Sequence, residues 1–180
     1  MMWECLGSRV LWQSPWYSLR EDRVRTREGR EFTFTLVDHP GAVCIVPVTA
    51  EGQVVLIWNY RYAVGEYCLE VPAGGLSPDA SPEEAARREL EEEIGGTAAG
   101  LEYVGRFYAS TGISNETVHV YLATGVELGE PDREATEEIE VHLVALEEAL
   151  RMAHSGEIMD ALSALALLWC EPLLKNDGHR

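Results

Sequence analysis

The chain has 180 residues, 46% apolar and 25% charged, with 14 basic against 31 acidic side chains and a formal net charge of −17 at pH 7. That balance belongs to a folded globular domain and excludes a disordered tail, a collagen-like repeat and an isolated coiled coil. So acidic a chain repels nucleic acid polymers at long range, and a small anionic ligand needs metal ions or local arginines to reverse the field where it binds. No run approaches ~20 uninterrupted apolar residues, and the first residues lack a basic start followed by an apolar core. A cytoplasmic protein that does not enter a membrane is therefore expected. Cys5, Cys44, Cys68 and Cys170 are scattered, without paired or zinc-type spacing, and are expected to be reduced, buried thiols.

In chain order, Trp16–Arg25 and Glu31–Val37 alternate polar and apolar residues across a turn at Arg27–Arg30, which predicts a β-hairpin arm. Ala42–Thr49, Gln53–Trp58 and a short segment near Tyr67–Val71 follow as strands, the last ending in Pro72-Ala73-Gly74-Gly75, read as a glycine loop. At Ser81 the period changes. Serine as cap, Pro82 at the first helical position and Glu84 three residues after the cap predict a helix to Ile94, stopped by Gly95-Gly96. Strands are expected near Leu101–Tyr108, Thr117–Ala123 and Glu138–Val144, then helices over Leu146–His154 and Ile158–Trp169, with Trp169 in the core. The fold class is α/β of the α+β type, a mixed sheet sandwiched between helices, with residues 1–40 as the arm and 41–180 as the main domain. Neither of the glycine-rich fingerprints of dinucleotide or P-loop sites is present.

The helix carries the chemistry. With Leu90 at zero on a helical wheel, Ala86 and Ile94 flank it and define the buried stripe, while Glu93, Glu89 and Glu92 fall near −60°, −100° and about −160°. Three carboxylates thus fill one arc that begins at the edge of the core, where like charges repel each other. The opposite side is expected to be balanced by Glu84 facing Arg88. A divalent cation supplies the charge that the arc lacks, and clustered hard oxygen donors suit Mg²⁺ or Mn²⁺. Arg88 is placed to hold a carboxylate by a forked hydrogen bond. The Ala73-Gly74-Gly75 segment has so little side chain that a backbone carbonyl can approach the same cation.

At these residues the chain resembles the Nudix hydrolase family, whose box runs from a glycine to REUxEExGU, U being a bulky aliphatic. Gly74 is the first glycine, and Arg88-Glu89-Leu90-Glu91-Glu92-Glu93-Ile94-Gly95 fills the dense part. The chain has Ala80 where the box has an auxiliary glutamate, and Gly96 where it has an aliphatic. Within the family it resembles the ADP-ribose pyrophosphatase branch, from about Arg20 onward. The similar stretches are Ile57–Tyr62, Leu69–Gly74, Ser110–Glu116 with Thr111 in place of a common proline, and Ile139–His142 with Leu146–Ala149.

The resemblance implies a mixed-sheet Nudix fold and a metal-dependent hydrolase that splits a nucleoside diphosphate derivative at its pyrophosphate. ADP-ribose or another ADP-sugar is the first substrate expected, giving AMP and a sugar phosphate. FAD, coenzyme A, a GDP-sugar or a dinucleoside polyphosphate are the alternatives, and a non-catalytic nucleotide-sugar-binding regulator is a third. It further implies two or three Mg²⁺ ions on Ala73, Glu89, Glu92 and Glu93, and substrate contacts at Arg61, Ser110, Gly112 and Glu116. A loop glutamate is implied to activate water, with Glu137 first and Glu138 and Glu134 behind it. The branch also implies a homodimer with exchanged arms, in which Arg23, Arg25, Arg27 and Arg30 offer basic contacts. Trp12, Trp16 and Tyr17 are expected to pack the arm against a neighbouring subunit rather than stack on adenine. His119 and His142 read as sheet-surface residues.

Overall fold

The computed structural model describes residues 3–77, 79–133 and 138–176. It divides into two compact units: the chain up to Gly41 with Phe107–Val118, and Ala42–Arg106 with the chain from His119 onward.

The first unit is a three-stranded antiparallel sheet rather than a hairpin: β1 (Trp3–Gln13), β2 (Ser18–Thr26) and β3 (Glu31–Asp38), in the order β1-β2-β3. The additional strand, β1, escapes the alternation test because its register shifts between Cys5 and Gly7 and again between Val10 and Trp12, and such bulges break a period of two. The expected turn is present, with Gly29 at φ 81° and Thr26 N–H donating to the Arg30 carbonyl at 2.9 Å. Trp3 packs edge-on to Phe32, with ring centroids 5.1 Å apart. The 107–118 segment is tied to β3: Val37 N–H donates to the Ile113 carbonyl at 2.8 Å, and His39 N–H donates to Asn115 Oδ1 at 2.8 Å. Trp12, Trp16 and Tyr17 are exposed in the single chain.

The second unit is built on β4 (Ala42–Thr49), β5 (Gln53–Arg61), β6 (Glu66–Glu70), β7 (Ala73–Gly75), β8 (Thr97–Tyr108), β9 (Thr117–Glu127) and β10 (Ile139–Ala145). The sheet runs β10-β5-β4-β9-β8, with β6 paired to β5 and β7 paired to β4. The helices are α1 (Pro82–Ile94), α2 (Leu146–Ser155) and α3 (Ala161–Asn176), so the last helix starts three residues later than its apolar run suggested and passes through Pro172. Sheet between helix layers follows from β4, whose residues Val43–Val48 are all buried, as a strand covered on both faces requires. Val43 and Ile45 pack with Leu90 and Ile94 of α1, whereas Cys44, on the other face, approaches the Leu162 carbonyl of α3. Burying Leu90 and Ile94 contributes roughly 1.5–3 kcal/mol each.

The glycine loop is in fact a short strand, because Ala73, Gly74 and Gly75 pair with Cys44, Val43 and Ala42. Trp169 is half-exposed instead of buried, its ring lying over Gly105. All four cysteines are free. Cys44 and Cys170 are buried, Cys68 is half-buried and Cys5 is exposed, so Cys5 departs from expectation. Among the described residues no helix is long and apolar enough to cross a membrane.

Candidate metal centre and adjoining cleft

The ends of α1 fix where its side chains point. Ser81 and Glu84 form the reciprocal capping box, and Gly95 takes the left-handed conformation at the C-terminus, φ 62°. Glu84 is thereby committed to Ser81 and does not face Arg88; the i,i+4 pair on that side is Glu83 with Arg87. The position of the expected terminal aliphatic is crowded: a Cβ on Gly96 would lie 3.0 Å from Ile94 Cγ1.

Glu89 and Glu93 are buried, at 8% and 4% exposure, and both meet the β7 segment. Glu93 Oε2 accepts the Ala73 N–H at 3.0 Å. The Glu89 carboxylate sits so close to Gly74 that a Cβ there would lie 2.1 Å from its carboxyl carbon, so any side chain at 74 would displace the carboxylate from this place. Arg88 Nη2 donates to Glu89 Oε1 at 2.9 Å and to the Gly75 carbonyl at 3.4 Å, while Arg88 Nε lies 3.4 Å from Glu92 Oε2. Hydrogen bonding to Glu89 raises the guanidinium's pKa, so this cation stays charged. Glu92, at the solvent edge, is the most exposed of the three acids. Among the described residues no three acidic, histidine or cysteine side chains converge into a finished cage. The donors at hand are two buried carboxylates, a third held by Arg88, and the main chain of a side-chain-poor strand. That set is all hard oxygen and carries excess negative charge, and it fits a divalent cation.

Beside it opens a cleft of about 580 Å³ whose lining includes Trp58, Arg61, Tyr67, Glu70, Ala73 and Met159. Arg61 forks onto Glu70, with Nε at 2.8 and 3.1 Å and Nη2 at 2.6 Å from the carboxylate oxygens. Glu70 is 3% exposed while the Arg61 side chain remains half in solvent, so the arginine holds a buried acid with one side and faces the cleft with the other. Glu70 was passed over in the sequence; an acid closing an apolar strand immediately before proline is the signal that marks it. Trp58 and Tyr67 stack nearly parallel, 6.2 Å between centroids.

Arg133 was also missed. Its Nε donates to the Glu93 carbonyl at 2.9 Å and its Nη1 to the Ile139 carbonyl at 2.6 Å, tying the end of α1 to the start of β10. No sequence pattern announces it. Glu138 is exposed and lies 3.5 Å from the Tyr67 hydroxyl, whereas Glu137 and Glu134 lie outside the described residues. Ser110, Gly112 and Glu116 belong to the first unit. There the Ser110 carbonyl accepts from Ile113 and Ser114, Gly112 is exposed, and the Glu116 carboxylate lies 3.7 Å from His39 Nδ1. His119 is partly buried against Tyr103, which lowers its pKa, and His142 lies by Trp58. Among the described residues neither joins a cluster of metal-ligating side chains.

Comparison with known proteins gives the chain's family and fold. Residues 38–162 match the NUDIX domain, and residues 3–37 match the nucleoside diphosphate sugar hydrolase N-terminal domain. An ADP-ribose pyrophosphatase of Bacillus subtilis (strain 168) is 39% identical over 150 residues, covering 82% of this chain and 81% of that protein. An ADP-ribose pyrophosphatase of Mycobacterium tuberculosis is 33% identical over 168 residues, covering 92% and 81% respectively. A crystal structure of an ADP compounds hydrolase shares the fold, with a TM-score of 0.84 over 100% of this chain and 98% of that one, at 19% identity. With the domain match spanning most of its length and a relative 39% identical over most of both chains, the chain belongs to the Nudix family of hydrolases.

Proposed function

We propose that this hydrolase splits the pyrophosphate of a nucleoside diphosphate linked to a sugar, ADP-ribose first among them, releasing AMP and a sugar phosphate. The observation that carries the reading is the burial of Glu89 and Glu93 against Ala73 and Gly74 on one side of α1. Relatives named ADP-ribose pyrophosphatase support the substrate.

Glu89, Glu92 and Glu93, with the Ala73 carbonyl, would hold two or three Mg²⁺ or Mn²⁺ ions. Ions held by these residues would supply positive charge for the diphosphate oxygens and would lower the pKa of a water there. Arg88 keeps Glu89 and Glu92 oriented by its hydrogen bond and ion pair. Arg61, preset by Glu70, offers its solvent-facing edge to the diphosphate. A loop glutamate, Glu137 or its neighbour Glu138, takes the proton from water. Ser110, Gly112 and Glu116 are the further substrate contacts that the family resemblance implies. The domain division is an arm over residues 1–40 and a hydrolase domain over 41–180, and the protein acts as a homodimer with exchanged arms. Exposed Trp3, Trp12 and Trp16 support an arm that packs on a second copy, and four free cysteines are consistent with a reducing cytoplasm.

The test is nucleotide release from ADP-ribose, FAD, coenzyme A, GDP-mannose and diadenosine polyphosphates in Mg²⁺. AMP released preferentially from ADP-ribose supports the proposal. Preference for another member refutes the substrate, and ligand binding without turnover on any of them refutes the enzyme in favour of a binding protein. A monomer at micromolar concentration refutes the exchanged arm.

A further inference from the structure

Between Glu70 and Ala73 the chain changes partners. The β5–β6 ladder ends at Glu70, and the β4–β7 ladder begins at Ala73. Val71 is fully buried in this gap, where its N–H has no strand to pair with and would be costly to leave unmet. It donates instead to Ser163 Oγ, at 3.0 Å. Ser163 is 1% exposed and sits in the first turn of α3. Its hydroxyl donates in turn to Asp160 Oδ2 at 2.6 Å, and the same oxygen accepts the Ser163 N–H at 2.8 Å, which makes Asp160 the N-cap of α3.

The hydroxyl therefore has its proton committed to Asp160 and a lone pair aimed at Val71. One rotamer satisfies all three groups. The rest of the segment is held from other directions: Ile45 N–H donates to the Pro72 carbonyl at 2.9 Å, and Ala73 N–H donates to Glu93 at 3.0 Å. Pro72 has no N–H of its own, so Ser163 is the contact that pins the Val71 end of this tripeptide. On one side the tripeptide leads to Glu70, which holds Arg61 in the cleft. On the other it leads to the Ala73 carbonyl. Asp160 also lines the cleft, next to Met159.

We infer that Ser163, locked by Asp160, is a positioning residue that sets the Val71–Ala73 main chain and so aims the Ala73 carbonyl at the metal. This rests on the metal centre proposed above. It assigns to α3, which contributes no metal ligand, a part in building the site. Groups that orient a metal's ligands without touching it change affinity about 10–100-fold when removed.

The experiment is Mn²⁺ binding to the full chain by calorimetry, with a melting temperature for each variant. Ser163→Ala removes the acceptor for Val71 and should weaken Mn²⁺ binding at least ~10-fold. Asp160→Ala, which frees the hydroxyl to rotate, should lose a comparable factor and serves if Ser163→Ala does not fold. Asp160→Asn keeps an oxygen acceptor for both Ser163 groups and should stay within about threefold of the parent. Leu150→Ala, a buried change in α2, should lower the melting temperature as much or more while leaving Mn²⁺ affinity intact. Should Ser163→Ala bind Mn²⁺ as tightly as Leu150→Ala does, Ser163 merely satisfies a buried N–H and the inference fails while the metal centre stands. Absence of Mn²⁺ binding to the parent, or binding unaltered by Glu93→Gln, removes the metal centre and the inference with it.

Discussion

Glu93→Gln separates charge from shape at the centre of the site. Glu93 is 4% exposed and its Oε2 accepts the Ala73 N–H, so glutamine of nearly equal volume can keep that bond through its carbonyl oxygen while losing the negative charge. Without metal, the change relieves repulsion with buried Glu89 one turn away and should leave the fold intact or slightly firmer. With metal, a carboxylate ligand is gone. Turnover should fall at least ~100-fold, which corresponds to about 2.7 kcal/mol of lost transition-state stabilisation. The same loss should appear in thermal unfolding. At a metal concentration 100 times its Kd, binding stabilises the parent by about 2.7 kcal/mol, a rise of roughly 5–10 °C for a chain of this length. In Glu93→Gln that rise should shrink to a degree or two. The assay is therefore a pair: nucleotide release, and melting with Mg²⁺ or with chelator. Near-parental turnover together with an undiminished Mg²⁺ shift would refute the reasoning about the acidic helix.

The remaining predictions concern the neighbours of that helix. Gly74→Ala places a methyl where the Glu89 carboxylate lies and should cut turnover at least ~10-fold with helical circular dichroism unchanged; full activity would mean that Glu89 is free to lie elsewhere. Arg61→Ala leaves Glu70 buried without its partner, and a double-mutant cycle with Glu70→Ala should give a coupling of about 1–3 kcal/mol in urea unfolding, with additive losses counting against the pairing. Glu84 accepts from the Ser81 backbone and hydroxyl, which depresses its pKa below the ordinary 4.5. A depressed folded value means that this support is present above the ordinary value and lost as pH falls through the folded one. The stability difference between the parent and Glu84→Gln should accordingly be seen at pH 7 and disappear in acid; a difference unchanged by acid would show that the carboxylate charge is not what caps α1.

Much of the site was legible because it depends on local rules. Ser81, Pro82, Glu84 and Gly95 bound α1 by capping chemistry alone, and the helical period set Glu89 and Glu93 at the edge of the Leu90 stripe before any tertiary contact was known. The mostly apolar run Ala42–Thr49 declared a strand, and its burial on both faces is what the structure adds. Where local rules break, the sequence misled. The bulges of β1 hid a strand, and Gly74 and Gly75 looked like a loop because glycine carries no pattern, although pairing with β4 makes them strand. Glu84 was free to face Arg88 on a wheel, but the cap claimed it.

Local sequence suffices for the helix, its acid arc and the layered class of the fold, since each follows from the periodicity and capping of short segments. Tertiary packing decided which atoms of the Ala73–Gly74 backbone the acids meet and what holds that backbone still. Glu93 finds Ala73 across 20 residues, Glu70 finds Arg61 across 9, and Ser163 finds Val71 across 92. Hydrogen bonds between positions so far apart have no period to betray them. They exist because the sheet and its helices bury polar groups together, and a buried donor must find whatever acceptor the packing brings.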